Sequence, residues 1–351
     1  HLLPGLYPCS SSPLTLLNIH SVVVDGGNTD GALVELCDPI VAHNTSLYVQ
    51  GVSWSAVGAS PALWWQSVDV CSHSLQVVDC TFRNCSSPVQ LSGCGNVTVS
   101  GSSFHQNFAA PPPSSPLVFP WNCSMLGSPF SGAGSLTACA GSGPGPLQVL
   151  LENTTFSEST AQSLLQSGGA VAMLWELQRS LESLDSSLSV SNCTFSNNTV
   201  FESPTGFGYS ETNLGPGSLF GGGAVFSMVS LLVEKSSFFD NSVAGLPFLR
   251  AGGGAVAAGS SVIIRDSLFT ENSVQECSFD IASDSLIGQI GGGAVLLSGM
   301  QDISVSGSRF FRNKVIRSAT STSYFSYTSK AGMNNNGGGV ILSTFVEFEA
   351  L

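Results

Sequence analysis

Charge is the scarcest property of this chain of 351 residues: Asp, Glu, Lys and Arg make up only 9% of it, and just 10 of those residues are basic. With a net charge of −13 and its few cations scattered, the chain has no basic stripe to neutralise nucleic-acid phosphates or an anionic lipid surface. Nucleic acid is therefore set aside as a partner. Long apolar runs are missing too: no stretch approaches the roughly 18 to 20 residues that span a bilayer, so no direct membrane insertion is expected. His1, His20, His43, His73 and His105 lack metal-ligand spacing, and the 10 cysteines form no CxxC pair of the zinc or thioredoxin kind. Neither a metal nor a cofactor is expected. The chain opens at His1 without a signal-peptide pattern and is read as a processed chain or a fragment of a longer one.

Glycine is plentiful, at 39 residues, and Ser and Thr are common, while 42% of the chain is hydrophobic. That mixture suits close-packed strands and turns better than helices. It also repeats. A glycine element recurs at Gly168-Gly169-Ala170-Val171, Gly221 to Val225, Gly252 to Val256, Gly291 to Val295, and as a variant at Gly337 to Val340. A second element, small-x-Phe-x-x-Asn, pairs Phe195 with Asn198, Phe238 with Asn241, Phe269 with Asn272, Phe310 with Asn313, and earlier Phe104 with Asn107. Short apolar or alternating runs such as Leu231-Leu232-Val233 and Val262-Ile263-Ile264 precede each Phe and read as strands.

One repeat thus holds about three short strands, and the 22 residues from Phe82 to Phe104 suit one turn of a three-sided coil. Coils of this kind bury their apolar positions only by stacking on neighbours, at an inter-strand spacing of about 4.8 Å. The fold expected is all-β: one right-handed parallel β-helix over 1–351, of roughly ten coils and about 50 Å long, with loop insertions. The Phe residues should fill its core. Asn107, Asn198, Asn241, Asn272 and Asn313 should stack as a structural ladder that satisfies buried turn groups.

Residues 109–145, rich in Pro, Gly and Ser, break the pattern and are read as a loop thrown out from the coil, with further insertions at 202–219, 275–289 and 315–336. Leu174, Leu177, Leu181 and Leu184 recur at helical spacing and predict a short amphipathic helix on the flank. Trp54 aligns with the Phe position and is read as core. Trp64 and Trp65 fall in a loop-like segment, where packing is favoured over stacking on a sugar.

Seven N-x-S/T sequons, at Asn44, Asn84, Asn96, Asn122, Asn153, Asn192 and Asn197, predict covalently attached glycans and hence passage through a secretory pathway. Asn153 and Asn192 each stand three residues before a Phe, and Asn84 and Asn197 each two after one, as equivalent outward positions would. The cysteines fit the same compartment as disulfides. Cys71 and Cys94 lie almost the same distance before Phe82 and Phe104, so they should be neighbours on adjacent coils and bridge. Cys123 with Cys139 and Cys9 with Cys37 complete the expected set.

The paired elements GGA-V and F-x-x-N resemble the repeats of the chlamydial polymorphic outer-membrane protein family, a pattern also met in surface proteins of algae and other protists. The resemblance covers residues 168 to 342 well, with Phe82 and Phe104 as glycine-poor outliers. It implies a right-handed β-helical passenger used for adhesion or surface architecture. Bacterial members end in a membrane β-barrel, and nothing similar follows Val340. With the sequons, that points to a eukaryotic secreted member.

The function expected is that of an extracellular, glycosylated structural or adhesive protein of a cell surface, not of an enzyme. Self-association into a fibre or contact with other surface proteins would be its partnership. A non-catalytic carbohydrate-binding module is the first alternative, and a pectin-degrading lyase or hydrolase the second. Asn28-Thr29-Asp30-Gly31 resembles an element of polygalacturonases, yet no Asp-Asp and no Gly-His-Gly accompanies it. Glycoside hydrolysis needs two carboxylates across one bond, so Asp30 reads more simply as a turn residue.

Overall fold

The computed structural model describes residues 5–6, 13–26, 34–36, 38–55, 61–109, 132–141, 143–162, 167–175, 185–201, 219–245, 250–276, 290–298, 302–316 and 341–344. Among them there is no α-helix, and strand pairs with parallel strand. Sheet I has ten strands, from Gly5–Leu6 to Arg309–Phe311; sheet II has ten, from Leu14–Leu17 to Ile341–Thr344; sheet III has nine, from Ser21–Asp25 to Ile303–Ser306. A fourth sheet of six short strands runs from Phe108–Ala109 to Lys314–Ile316. The chain visits sheets I, II and III in turn and re-enters sheet I beside its previous strand, as Ser53, Thr81 and Ser103 do in register. The result is a parallel β-solenoid.

Corners are sharp because particular residues take the left-handed conformation. Three residues before the inward Phe of successive turns stand Asp79, Gly101, Asn153, Asn192, Lys235, Asp266 and Gly307, with φ from 47° to 60°. Two residues after it stand Asn84, Gln106, Glu158, Asn197, Asp240, Glu271 and Arg312, with φ from 49° to 58°. Asn, Asp and Gly tolerate this region best, which explains their recurrence at these two columns. The glycine element answers a different demand. A Cβ on Gly223 would lie 1.9 Å from the Gly254 carbonyl oxygen, and one on Gly254 2.1 Å from that of Gly293, so only glycines stack at this corner.

Three ladders fill the interior. Trp54, Phe82, Phe104, Phe156, Phe195, Phe238, Phe269 and Phe310 form one continuous stack, with ring centroids 4.6 to 4.9 Å apart and planes within 12°. Two residues before each Phe, a small side chain turns back to the carbonyl two residues earlier: Ser102 Oγ donates to Ser100 O, Ser236 Oγ to Glu234 O and Ser267 Oγ to Arg265 O. The same oxygens accept the backbone N–H of the turn before, as Ser267 does from Ser236. Three residues after Phe104, Phe195, Phe238, Phe269 and Phe310 lies the asparagine ladder, with Cys85 and Ser159 at that position after Phe82 and Phe156. Asn241 Nδ2 donates to Phe195 O at 3.1 Å and to Asn272 Oδ1 at 2.9 Å, while its Oδ1 accepts from the N–H and Nδ2 of Asn198. Asn198, Asn272 and Asn313 repeat the donation to a Phe carbonyl of the preceding turn, so no amide of the run is buried unpaired.

Sheet II differs from the others in being buried on both faces. Leu136, Val171, Val225, Val256 and Val295 point into the main core, and the alternate residues Cys139, Ala172, Leu174, Phe226, Ala257 and Leu296 form a second apolar cluster outside it. Sheets I and III instead alternate, as in Ser187–Ser191, where only Leu188 and Val190 are buried.

Several expectations change here. Turns from Phe104 onward use more than three strands: Phe108–Ala109, Thr160–Gln162, Thr199–Phe201 and their successors pair straight after the ladder position, and short strands just ahead of sheet II pair as well, Gly132–Ala133 with Ser167–Gly168 and Leu219–Phe220 with Arg250–Gly252. Inside the segment 109–145 read as a loop, Gly132–Ala133 and Leu136–Ala140 are strands, and Gly134-Ser135-Leu136 takes the place of Gly169-Ala170-Val171. Pro and Gly density hid that strand; 110–131 lie outside the described residues. Leu174 sits in the strand Val171–Trp175, so its helical spacing is a coincidence of sheet II being apolar on both faces. Leu177, Leu181 and Leu184 lie outside the described residues. Trp64 and Trp65 belong to the strand Leu63–Ser67 and are both buried.

Candidate functional site

The surface features that sequence singles out are the sequons, and the corner geometry places most of them. Asn153 and Asn192 occupy the left-handed column before the Phe stack, and Asn84 and Asn197 the column after it; all four are exposed. Asn96 is exposed at an outward position of the strand Gly95–Ser100. Asn122 lies outside the described residues. The hydroxyl residue of the sequons at Asn153 and Asn192 opens the next strand, as Thr155 does in Thr155–Ser157 and Thr194 in Thr194–Ser196. Conformation alone thus favours Asn followed two residues later by Ser or Thr, and the same asparagines are presented to solvent.

Asn44 is different. It takes φ 45° at the corner between sheets II and III and is half-buried. Its Nδ2 donates to Asp69 Oδ2 at 2.6 Å and Asn18 Oδ1 at 3.3 Å, and its Oδ1 accepts from Val68 N at 3.0 Å. That side chain pins a turn.

Cys71 and Cys94 are joined by a disulfide across adjacent turns, Cα atoms 4.9 Å apart. Cys139 is also disulfide-bonded, while Cys9, Cys37 and Cys123 lie outside the described residues. Not every cysteine is oxidised. Cys80 and Cys193 are buried thiols standing where other turns have Ser102, Ser236 and Ser267, and each Sγ donates to the carbonyl two residues earlier, Val78 O and Ser191 O. Pairing logic applied to the sequence misses this, because the column equivalence that explains these thiols runs through the Phe position. Burial pushes the Cys80 thiol up to about 12 and that of Cys193 up to about 11, since a thiolate there would lose its hydration.

The exposed charges make isolated contacts. Arg312 reaches Glu271 at 3.2 Å and Arg265 reaches Glu234 at 3.8 Å, each pair on neighbouring turns. His105 Nδ1 lies 2.9 Å from Ser157 Oγ, and His43 meets the edge of Trp64 at 5.4 Å. Asn28, Thr29, Asp30 and Gly31 lie outside the described residues. Among the described residues no group of three His, Cys, Asp or Glu side chains is placed to hold a metal, and no helix is long and apolar enough to cross a membrane. No protein-family model, no curated protein and no solved structure matches this chain.

Proposed function

We propose that this chain is the N-glycosylated body of an extracellular structural or adhesive surface protein, built as a right-handed parallel β-helix of about ten turns. Handedness follows from the strong rule that parallel crossover connections within a sheet are right-handed. The observation that carries the functional reading is the set of exposed asparagines at Asn84, Asn96, Asn153, Asn192 and Asn197, spread over a surface with few charges. Glycans at those positions supply the hydrophilic cover that charged side chains give other proteins. The interior supports a mechanical role as well, because each turn hydrogen-bonds through its ladders to the next and the stack is satisfied from within. Sugar stacking on Trp64 or Trp65 has no support, since both rings are buried.

The test is an antibody raised against the recombinant chain and applied to intact, unpermeabilised cells of the source. Surface labelling of a band that shifts in size on enzymatic removal of N-glycans is the expected outcome. Labelling only after permeabilisation, with no shift, would contradict the reading.

A further inference from the structure

The residue that follows each exposed sequon asparagine is buried. Cys85, Val97, Thr154, Cys193 and Asn198 are each at most 1% exposed, although Asn84, Asn96, Asn153, Asn192 and Asn197 before them face solvent. In a wall one residue thick, the neighbour of an outward side chain points inward. Asn198 is moreover a rung of the asparagine ladder, its Nδ2 donating to Phe156 O and Asn241 Oδ1.

The backbone is held as firmly. Asn84, Asn153, Asn192 and Asn197 donate their N–H groups to the carbonyls of His105, Ser191, Glu234 and Phe239 on the following turn, at 3.0 to 3.1 Å and 21 to 42 residues further along the chain. The hydroxyl-bearing residue is tied the other way, since Thr155, Thr194 and Thr199 donate theirs to the carbonyls of Ser102, Thr154 and Ser159 on the preceding turn. Those threonines also pair with a strand on each side. A sequon is read as three consecutive residues, its carboxamide together with its hydroxyl. Here the three are clamped between neighbouring turns, with the middle one in the core.

We propose that glycan transfer to this chain precedes its folding, each sequon staying open to the transferase only until the following turn is laid against it. The proposal rests on the reading of these sequons as acceptors. In the transfer, the asparagine Nδ2 forms a bond to the anomeric carbon of an oligosaccharide carried on a lipid pyrophosphate. The bond from that carbon to the pyrophosphate oxygen breaks, the amide gives up one proton, and the lipid pyrophosphate leaves. The folded wall accommodates the product, because the asparagine side chains face solvent; it bars only the approach of an enzyme that must read the buried middle residue's backbone. At Asn44 the same order has the opposite consequence. A glycan added there early displaces the Nδ2 contacts with Asn18 and Asp69, so only chains left bare at Asn44 close that corner.

The test offers the full chain, produced without glycans and shown by circular dichroism to be folded, to purified oligosaccharyltransferase with a lipid-linked oligosaccharide. Beside it runs the variant F195A/F238A, which lacks two rings of the interior stack and whose loss of fold is checked in the same way. Site-resolved mass spectrometry should find transfer to Asn153, Asn192 and Asn197 in the unfolded variant. In the folded chain, which opens these sequons only in its rare unfolded fraction, transfer should be slower by a factor of about 1,000 or more. Comparable rates on the two would overturn the proposed order. Transfer to neither would instead remove the reading of these asparagines as acceptors, and the proposal with it.

Discussion

Ser135 and Ser159 share a hydrogen bond of 2.7 Å inside the solenoid although 24 residues separate them. The pair bridges the one interruption in the asparagine ladder between Asn107 and Asn313. Where the pattern calls for an Asn three residues after Phe156, the chain has Ser159, and Ser135 stands where the following turns have Ala170, Ala224, Ala255 and Ala294. Asn107 Nδ2 reaches Ser135 Oγ at 3.3 Å, so the hydroxyl of Ser135 relays the contact that an amide would have made directly.

Restoring the consensus at one of these positions alone therefore harms the protein. Ser159→Asn places an amide where the Ser135 hydroxyl already sits and is expected to destabilise by about 1–3 kcal/mol. Adding Ser135→Ala should recover most of the loss, and a double-mutant cycle on denaturant unfolding should show favourable coupling of about 1 kcal/mol or more.

Within the intact ladder, Asn241→Ala strips the Phe195 carbonyl and Asn272 Oδ1 of a donor and leaves the N–H and Nδ2 of Asn198 without their acceptor. Each stranded buried group costs about 1–3 kcal/mol, so a total loss of about 3–5 kcal/mol is expected by chemical unfolding. The adjacent Ser242 hydroxyl offers no substitute, since it is engaged with Thr199 on the neighbouring turn.

How much of this is open to sequence reading depends on how local each cause is. The Phe and Asn columns are legible because most turns repeat them and because their packing is one-dimensional. Trp54 falls into the Phe stack for the same reason, 4.8 Å from Phe82. The strand Leu136–Ala140 is not legible, since Gly134-Ser135-Leu136 departs from the glycine element and sits among turn formers. Nor are the fourth sheet and the double burial of sheet II, because both depend on what lies beside a strand rather than on its own alternation. At the candidate site, the column equivalence of Asn153 with Asn192 is visible, whereas the pinning of Asn44 by Asn18 and Asp69 requires contacts across three turns.

Two glycine substitutions separate conformation from space. Gly51 has φ 63° with nothing within 4 Å of where a Cβ would stand, and its column equivalents are Asn153 and Asn192. Gly51→Asn should leave stability within about 1 kcal/mol of the parent. Gly223→Ala drives a Cβ onto a backbone oxygen and should lower stability by more than about 3 kcal/mol, both read from thermal unfolding.

The buried thiols give a pH dependence of known sign. The ordinary thiol value is 9.0, and folding holds Cys80 near 12 and Cys193 near 11. Above pH 9 the unfolded chain releases these protons and the folded one keeps them, so their contribution is fully present below pH 9 and is lost as pH rises toward 11 to 12. The variant C80S/C193S, with hydroxyls that suit the same column, should fold normally and show a flatter alkaline decline in unfolding titrations.

The most direct test of the central claim is site-by-site glycopeptide analysis of the protein purified from its natural source. Glycans on Asn84, Asn153, Asn192 and Asn197, the exposed left-handed corners, and on Asn96 are predicted, with Asn44 unmodified because its Nδ2 hydrogens already serve Asn18 and Asp69. Bare asparagine at every one of these positions would contradict the account of a glycosylated extracellular solenoid.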